Sequence, residues 1–231
     1  MFHIPTSCAA ARSVGLFGRL PSGQRLLASA GLAMLACWTL TPATVSAIEI
    51  VSIEEFWELN VGEPDAQRSA PQVTMVTSPI GSLENLYFLF ALNHQSHPDW
   101  APGGMQVQLW NGGDLVASHT SQESETLQHS NELVRWVQRT ELSNGQLTFK
   151  IHSGESDTWG AFGGDSLKFS FPSALTNLNG YLPAIAIEES GVNFAGNRVR
   201  SLTLTKLRWT DSDGQVYELN APIDVDADLD P

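Results

Sequence analysis

The stretch "QLTFKIH", Gln146 to His152, decides the fold class. Leu147, Phe149 and Ile151 stand at every second position, and Thr148, Lys150 and His152 fill the places between. A period of two is the pattern of a β-strand with one face buried, because successive side chains point to opposite sides of a sheet. Immediately upstream, "LSNGQL" joins this run to "ELVRWVQRTEL" through Asn144-Gly145. Asn-Gly is a strong hairpin signal, since both residues tolerate the positive φ that a tight two-residue turn requires.

The same signature repeats outward in both directions. "MQVQLW" alternates Met105, Val107 and Leu109 with Gln106, Gln108 and Trp110, and runs into the turn Asn111-Gly112-Gly113. "SLKFSF" places Leu167, Phe169 and Phe171 on one phase. "TDSDGQV" turns "RSLTLTKLRW" back into "QVYEL". In that last pair the apolar parity slips. Leu202 and Leu204 lie on one phase and Leu207 and Trp209 on the other, which predicts a β-bulge near Thr205. "NLYFLFAL" (residues 85–92) and "YLPAIAI" (residues 181–187) are apolar on both phases and read as central strands. Short helical turns are expected at Ser52–Phe56 and Pro172–Leu178. About ten strands joined by hairpins, with no long helix, predict an all-β chain. The expected architecture is an antiparallel β-sandwich of jelly-roll or concanavalin-like form.

Residues 1–47 differ from everything that follows. They hold Arg12, Arg19 and Arg25, no acidic residue, an apolar run from Leu26 to Leu40 and the small-residue end Val45-Ser46-Ala47. These are the parts of a secretory signal peptide, and the apolar run is shorter than the about 20 residues of a membrane span. Cleavage is expected after Ala47. Cys37 stands where a lipoprotein anchor would place its cysteine, but Met34 departs from that pattern and the "VSA" end is the better site. Removing the leader removes both cysteines, so disulfides play no part in the remaining 184 of 231 residues. The organisation expected is a signal peptide at 1–47, a sandwich domain at 48–220 and an acidic tail at 221–231. Residues 61–72 read as a loop. The destination implied is the periplasm, the cell surface or the medium.

Beyond the leader, 9 of the 12 Lys+Arg face all 25 Asp+Glu, a net charge of −16. A nucleic-acid partner needs a basic face, and this composition argues against one. "DVDADLD" (residues 224–230) has carboxylates at every second position, but it lacks the glycine and the closing glutamate of an EF-hand loop. Calcium, if held at all, is expected at Asp211 and Asp213 in the "DSDG" turn. His94, His97 and Asp99 in "NHQSHPDW" have a zinc-like spacing, but no third strong ligand is marked.

"GDSL" at residues 164–167 spells the motif of a group of lipases and esterases with a serine nucleophile. Such chemistry needs a histidine and an orienting group. In those enzymes the serine comes early and the histidine late in an α/β chain. Here the last histidine, His152, precedes Ser166, and the neighbouring segments are strands. The string is read as a coincidence: a glycine turn that opens a strand. Carboxylate pairs suited to glycoside cleavage are limited to Glu123 with Glu125 and Glu155 with Asp157, both in polar loops.

A glycan presents ring faces that stack on aromatics and hydroxyls that pair with amides. Trp159 and Phe162 in "DTWGAFGG", Trp110 before its turn and Trp100 in a loop are the candidate platforms. "SGVNFAGNRVRSL" adds Asn193, Asn197 and Arg198, with Arg200 close by. The expected site therefore comprises Trp159, Phe162, Asn193, Asn197, Arg198 and Trp110. The expected function is a non-enzymatic binding module for polysaccharide or a cell-surface protein. The alternatives are a structural or adhesion module that collects calcium on acidic loops, and a glycan-cleaving hydrolase or lyase.

Overall fold

The computed structural model describes residues 48–63, 71–93, 104–122, 127, 129–220 and 222–225. The leader with Cys37, the residues His94, His97, Asp99 and Trp100, the pair Glu123 and Glu125, and residues 226–231 lie outside the described residues. The chain from Ser46 onward forms one compact unit. Among the described residues there are 13 strands and one short α-helix. No helix among them is long and apolar enough to cross a membrane.

The strands build two antiparallel sheets. The larger contains β1 (Ile50–Val61), β6 (Glu132–Ser143), β7 (Gln146–Ser156), β8 (Gly160–Phe162), β9 (Lys168–Pro172), β11 (Val199–Asp211), β12 (Val216–Leu219) and β13 (Ile223–Asp224). Its order is β12-β11-β1-β6-β7-β8, with β13 paired to β11 and β9 to β7. The smaller contains β2 (Gln72–Thr77), β3 (Leu86–Leu92), β4 (Gly104–Asn111), β5 (Asp114–Gln122) and β10 (Gly191–Phe194). Its order is β10-β2-β3-β4-β5.

The inner faces carry the residues that the alternation selects. Leu147, Phe149 and Ile151 of β7 and Met105 and Val107 of β4 have no accessible surface. Rings join the two sheets across the core. Phe88 stacks on Phe149 with centroids 4.5 Å apart, and Phe90 meets Trp136 edge-on at 5.8 Å. Such large aromatics dominate core energetics because each removes so much apolar surface from water. The chain is an all-β sandwich.

The turns follow the sequence closely. Asn144 and Gly145 have φ of 52° and 71° between β6 and β7, and Gly112 has φ of 59° between β4 and β5. The bulge is at Thr205. Phe56 pairs with Lys206 and Trp57 with Leu204, so Thr205 is the extra residue, and its hydroxyl donates to the Phe56 carbonyl at 3.0 Å. This insertion turns Leu207 to the interior beside Leu202 and Leu204.

Three segments differ from expectation. Ser52–Phe56 is not a helical turn but part of β1, which pairs along its length with both β11 and β6. Ile53, Trp57, Leu59 and Val61 share the buried phase, and Glu55 stands among them. That acidic residue broke the alternation and hid the strand. Tyr181–Ile187 is not a central strand. Pro183 opens the helix α1 (Pro183–Glu188), where its missing N–H costs no hydrogen bond. Ala186 is buried, and the flanking chain ties the sheets together: Leu178 N donates to Ile50 O at 2.7 Å, and Ser190 Oγ accepts from Val76 N at 3.0 Å. Pro172–Leu178 contains no helical turn. At the other end of the chain, Ile223–Asp224 pairs with β11 as β13, and Asp224 Oδ1 accepts from Leu202 N at 3.1 Å.

Candidate functional site

The outer faces of the two sheets have opposite chemistry. On the larger sheet the outward face of β1, β6, β11 and β12 carries cross-linked charges around Phe56 and Val137. Arg208 reaches Glu54 at 3.1 Å and Glu218 at 2.7 Å, Arg139 reaches Glu141 at 3.1 Å, and Arg135 reaches Glu58 at 2.7 Å. His152 beside Glu54, with Arg139 and Arg208, holds that carboxyl below its ordinary range despite its burial. Six of the nine Lys and Arg outside the leader lie on this face: Arg135, Arg139, Lys150, Lys168, Lys206 and Arg208.

The smaller sheet turns a different surface outward. Thr74 of β2, Tyr87 and Leu89 of β3, Gln106, Gln108 and Trp110 of β4, and Leu115, Ser118 and Thr120 of β5 line it, while Val76 and Ala91 share their phase but are buried. None of these carries a formal charge. Asn193 of β10 joins them by donating its side-chain N–H to Thr74 Oγ1. Tyr87 and Trp110, directly paired across β3 and β4, stack with centroids 6.0 Å apart and planes 5° apart.

A hydrogen-bond ladder runs down β4 from this aromatic pair. Trp110 Nε1–H donates to Gln108 Oε1 at 2.8 Å, and Gln108 Nε2–H donates to Gln106 Oε1 at 2.6 Å. Gln106 Nε2–H then reaches Thr120 Oγ1 at 3.5 Å. Each glutamine spends one N–H and one oxygen lone pair inside the ladder and keeps one of each for a partner. The ladder holds two long side chains in place before any ligand arrives, which lowers the entropy cost of binding. An aromatic platform beside ordered amides and hydroxyls is suited to a flat, hydroxyl-rich, uncharged ligand.

The structure brings Trp110 and Asn193 onto this one face and puts the other expected residues elsewhere. Trp159 and Phe162 meet edge-on at 6.0 Å on the β7–β8 edge of the larger sheet and pack against the core. Their turn is held by Glu132, which is fully buried. Its carboxylate accepts from Ser156 Oγ at 2.6 Å, Thr158 N at 2.8 Å and Thr158 Oγ1 at 2.7 Å. Burial opposes ionisation there, but these donors outweigh it and hold the carboxyl below its ordinary range. Arg198 is buried at 4% exposure, and its guanidinium donates to Leu127 O at 3.1 Å. Asn197 is exposed in the 3-10 turn preceding β11. Glu155 and Asp157 are both exposed.

Asp211 uses both carboxylate oxygens within its turn. Oδ1 accepts from Asp213 N at 3.0 Å and Gln215 N at 2.9 Å, and Oδ2 from Tyr217 OH at 3.0 Å. Asp213 is exposed beside it. Among the described residues no three His, Cys, Asp or Glu side chains converge as a metal site would require. Ser166 is exposed in the 3-10 turn Asp165–Leu167, which buries Leu167 and leads into β9.

Two features escaped the sequence reading. Gln106 and Gln108 were visible only as the polar phase of a strand. Their ladder depends on the side-chain geometry of neighbouring strands, and the signal available was the unusual repetition of amides beside a tryptophan. The second feature is an apolar cleft of about 210 Å³ between α1 and the inner face of β1 and β11, lined by Ile50, Ile53, Tyr181, Pro183, Leu207 and Trp209 together with Leu219 of β12. It offers shape but no hydrogen-bonding group to select a ligand. No known protein family, curated protein or solved structure matches this chain.

Proposed function

We propose that the protein is an exported, non-enzymatic module that binds glycan through the outer face of its five-stranded sheet. The observation that carries this reading is the uncharged amide and hydroxyl surface around the Tyr87–Trp110 pair, in a chain whose net charge beyond the leader is −16. A sugar ring presents C–H groups to an indole face and hydroxyls at its rim. Each hydroxyl both donates and accepts, as do the remaining groups of Gln106 and Gln108. The leader composition supports delivery to the cell envelope or the medium. The reading is of binding without cleavage.

The test is a polysaccharide array probed with the purified protein in calcium and again in EDTA. Binding in both conditions that falls about tenfold or more in Trp110→Ala and in the Gln106→Ala/Gln108→Ala double variant supports the reading. Binding unchanged in both variants removes this face from consideration.

A further inference from the structure

We infer that the ligand of this face is an uncharged polysaccharide segment lying lengthwise along β4 and engaged by several consecutive rings. The inference rests on the glycan reading above and specifies its ligand class. Charge is the first argument. The outward positions of β2, β3, β4 and β5 named above include no Lys, Arg or His, so an ionised carboxylate or sulfate laid on them would lose water and gain no cation. It would also approach a protein of net charge −16 beyond its leader. Six of the nine Lys and Arg outside the leader lie on the opposite sheet, where Arg139, Lys150 and Lys168 stand side by side in register across β6, β7 and β9.

Length is the second argument. The ladder runs from Trp110 through Gln108 to Gln106, four residues of strand or about 13 Å, room for about three pyranose rings end to end. Its contacts change character along the way: the Tyr87–Trp110 pair at one end, amides in the middle, and Gln106 with Thr120 at the far end. One ring on the tryptophan alone reaches neither Gln106 nor Thr120. The same count of rings laid across the strands would leave Gln108 for Leu89, or Gln106 for the buried Ala91, instead of continuous hydrogen-bonding groups.

The experiment is titration calorimetry of the protein against neutral hexasaccharides of glucose, xylose and mannose, and against polygalacturonate, at low and high salt. For the neutral sugar that binds, the di-, tri- and tetrasaccharides follow. The expected result is binding of at least one neutral hexasaccharide, changed less than about twofold by salt, since no ion pair is there to be screened. Affinity should climb about tenfold or more from the disaccharide to the trisaccharide and then level off. Trp110→Phe should retain part of the binding and Trp110→Ala lose it. Polygalacturonate binding that disappears in salt and in Lys150→Glu would overturn the inference and move a glycan site to the other sheet. A neutral disaccharide that binds as tightly as the hexasaccharide would overturn the lengthwise placement alone. Silence toward every carbohydrate would sink this inference together with the glycan reading.

Discussion

Glu55 is a carboxylate in the middle of the core, and replacing it separates two effects that usually travel together. The residue is 1% exposed on the inner face of β1. Oε1 accepts from Thr77 Oγ1 at 2.7 Å and Tyr181 OH at 3.0 Å, and Oε2 from Trp57 Nε1 at 3.1 Å and Gln138 Nε2 at 2.8 Å. These partners come from β1, β2, β6 and the segment before α1, so one side chain ties both sheets to the crossover. Glu55→Leu leaves four donors without their acceptor. The two hydroxyls can turn to other acceptors, but the indole and amide N–H groups cannot accept in return. At about 1–3 kcal/mol for each orphaned donor, the loss is about 4 kcal/mol. In a domain of this size that lowers Tm by about 8–16 °C.

Glu55→Gln behaves differently. Its carbonyl oxygen can take the protons of Trp57 and Gln138, and its NH2 can donate to the oxygens of Thr77 and Tyr181, so the cost is about 1 kcal/mol or less. Burial pushes the Glu55 carboxyl above its ordinary value of 4.5, with the four hydrogen bonds opposing. The folded state therefore holds the proton more tightly than the unfolded chain does. The stabilising contribution is fully present below the unfolded value and is lost as pH rises through the raised folded value. Glutamine cannot titrate, so Glu55→Gln should gain on the wild type as pH rises across that window. The assay is urea unfolding of wild type, Glu55→Gln and Glu55→Leu, followed by tryptophan fluorescence from about pH 4 to pH 8. A leucine variant as stable as wild type, or a wild-type-minus-glutamine difference that does not change with pH, would contradict this role for Glu55.

Other perturbations have equally definite outcomes. Glu132→Ala removes the acceptor that holds the Ser156–Thr158 turn and should cost about 3 kcal/mol at neutral pH by chemical denaturation. Because the Glu132 carboxyl is held below 4.5, its contribution is present above that value and fades as pH falls through the lowered one, so the variant and wild type should converge in acid. Deleting Thr205 removes the extra residue of the bulge but leaves Leu204 opposite Trp57 and Lys206 opposite Phe56, so Leu207 stays inside; the variant should still fold by circular dichroism, at a cost of about 1 kcal/mol for the lost Thr205–Phe56 hydrogen bond. Gly163 has φ of 108°, and a Cβ there would stand 2.8 Å from the Ile151 carbonyl oxygen; Gly163→Ala should cost about 2 kcal/mol by thermal melting. Trp110→Ala touches only the surface and should change stability by about 1 kcal/mol or less while removing glycan binding.

The strands and turns were legible because they rest on local chemistry. Leu147, Phe149 and Ile151 announce a strand without reference to anything else, and Asn144-Gly145 carries its own φ preference. The bulge at Thr205 was legible for the same reason, since a parity slip is visible in one dimension. The β1 strand was not. Glu55 belongs in its buried phase only because Thr77, Gln138 and Tyr181 arrive from distant parts of the chain. The helix α1 was missed because a short apolar run looks alike in both conformations, and Pro183 decides only once the chain around it is placed. The candidate site divides along the same line. Trp110 was legible from its polar-phase position. Trp159 and Phe162 sit among small and polar neighbours in sequence, yet in space they pack against the core. Gln106 and Gln108 gain meaning only beside Thr120 and Trp110.

The central claim is that ligand meets the protein on the outer face of β4. The most direct measurement is nuclear magnetic resonance of the 15N-labelled protein titrated with the neutral oligosaccharide that binds best, reading the tryptophan indole and glutamine side-chain N–H signals. The Trp110 indole and the Gln106 and Gln108 amides should shift together and saturate at one ligand per protein, while the Trp57 and Trp136 indoles in the core stay in place. Shifts confined to Trp159 and the Asn197–Arg198 turn, with the β4 signals unmoved, would contradict it.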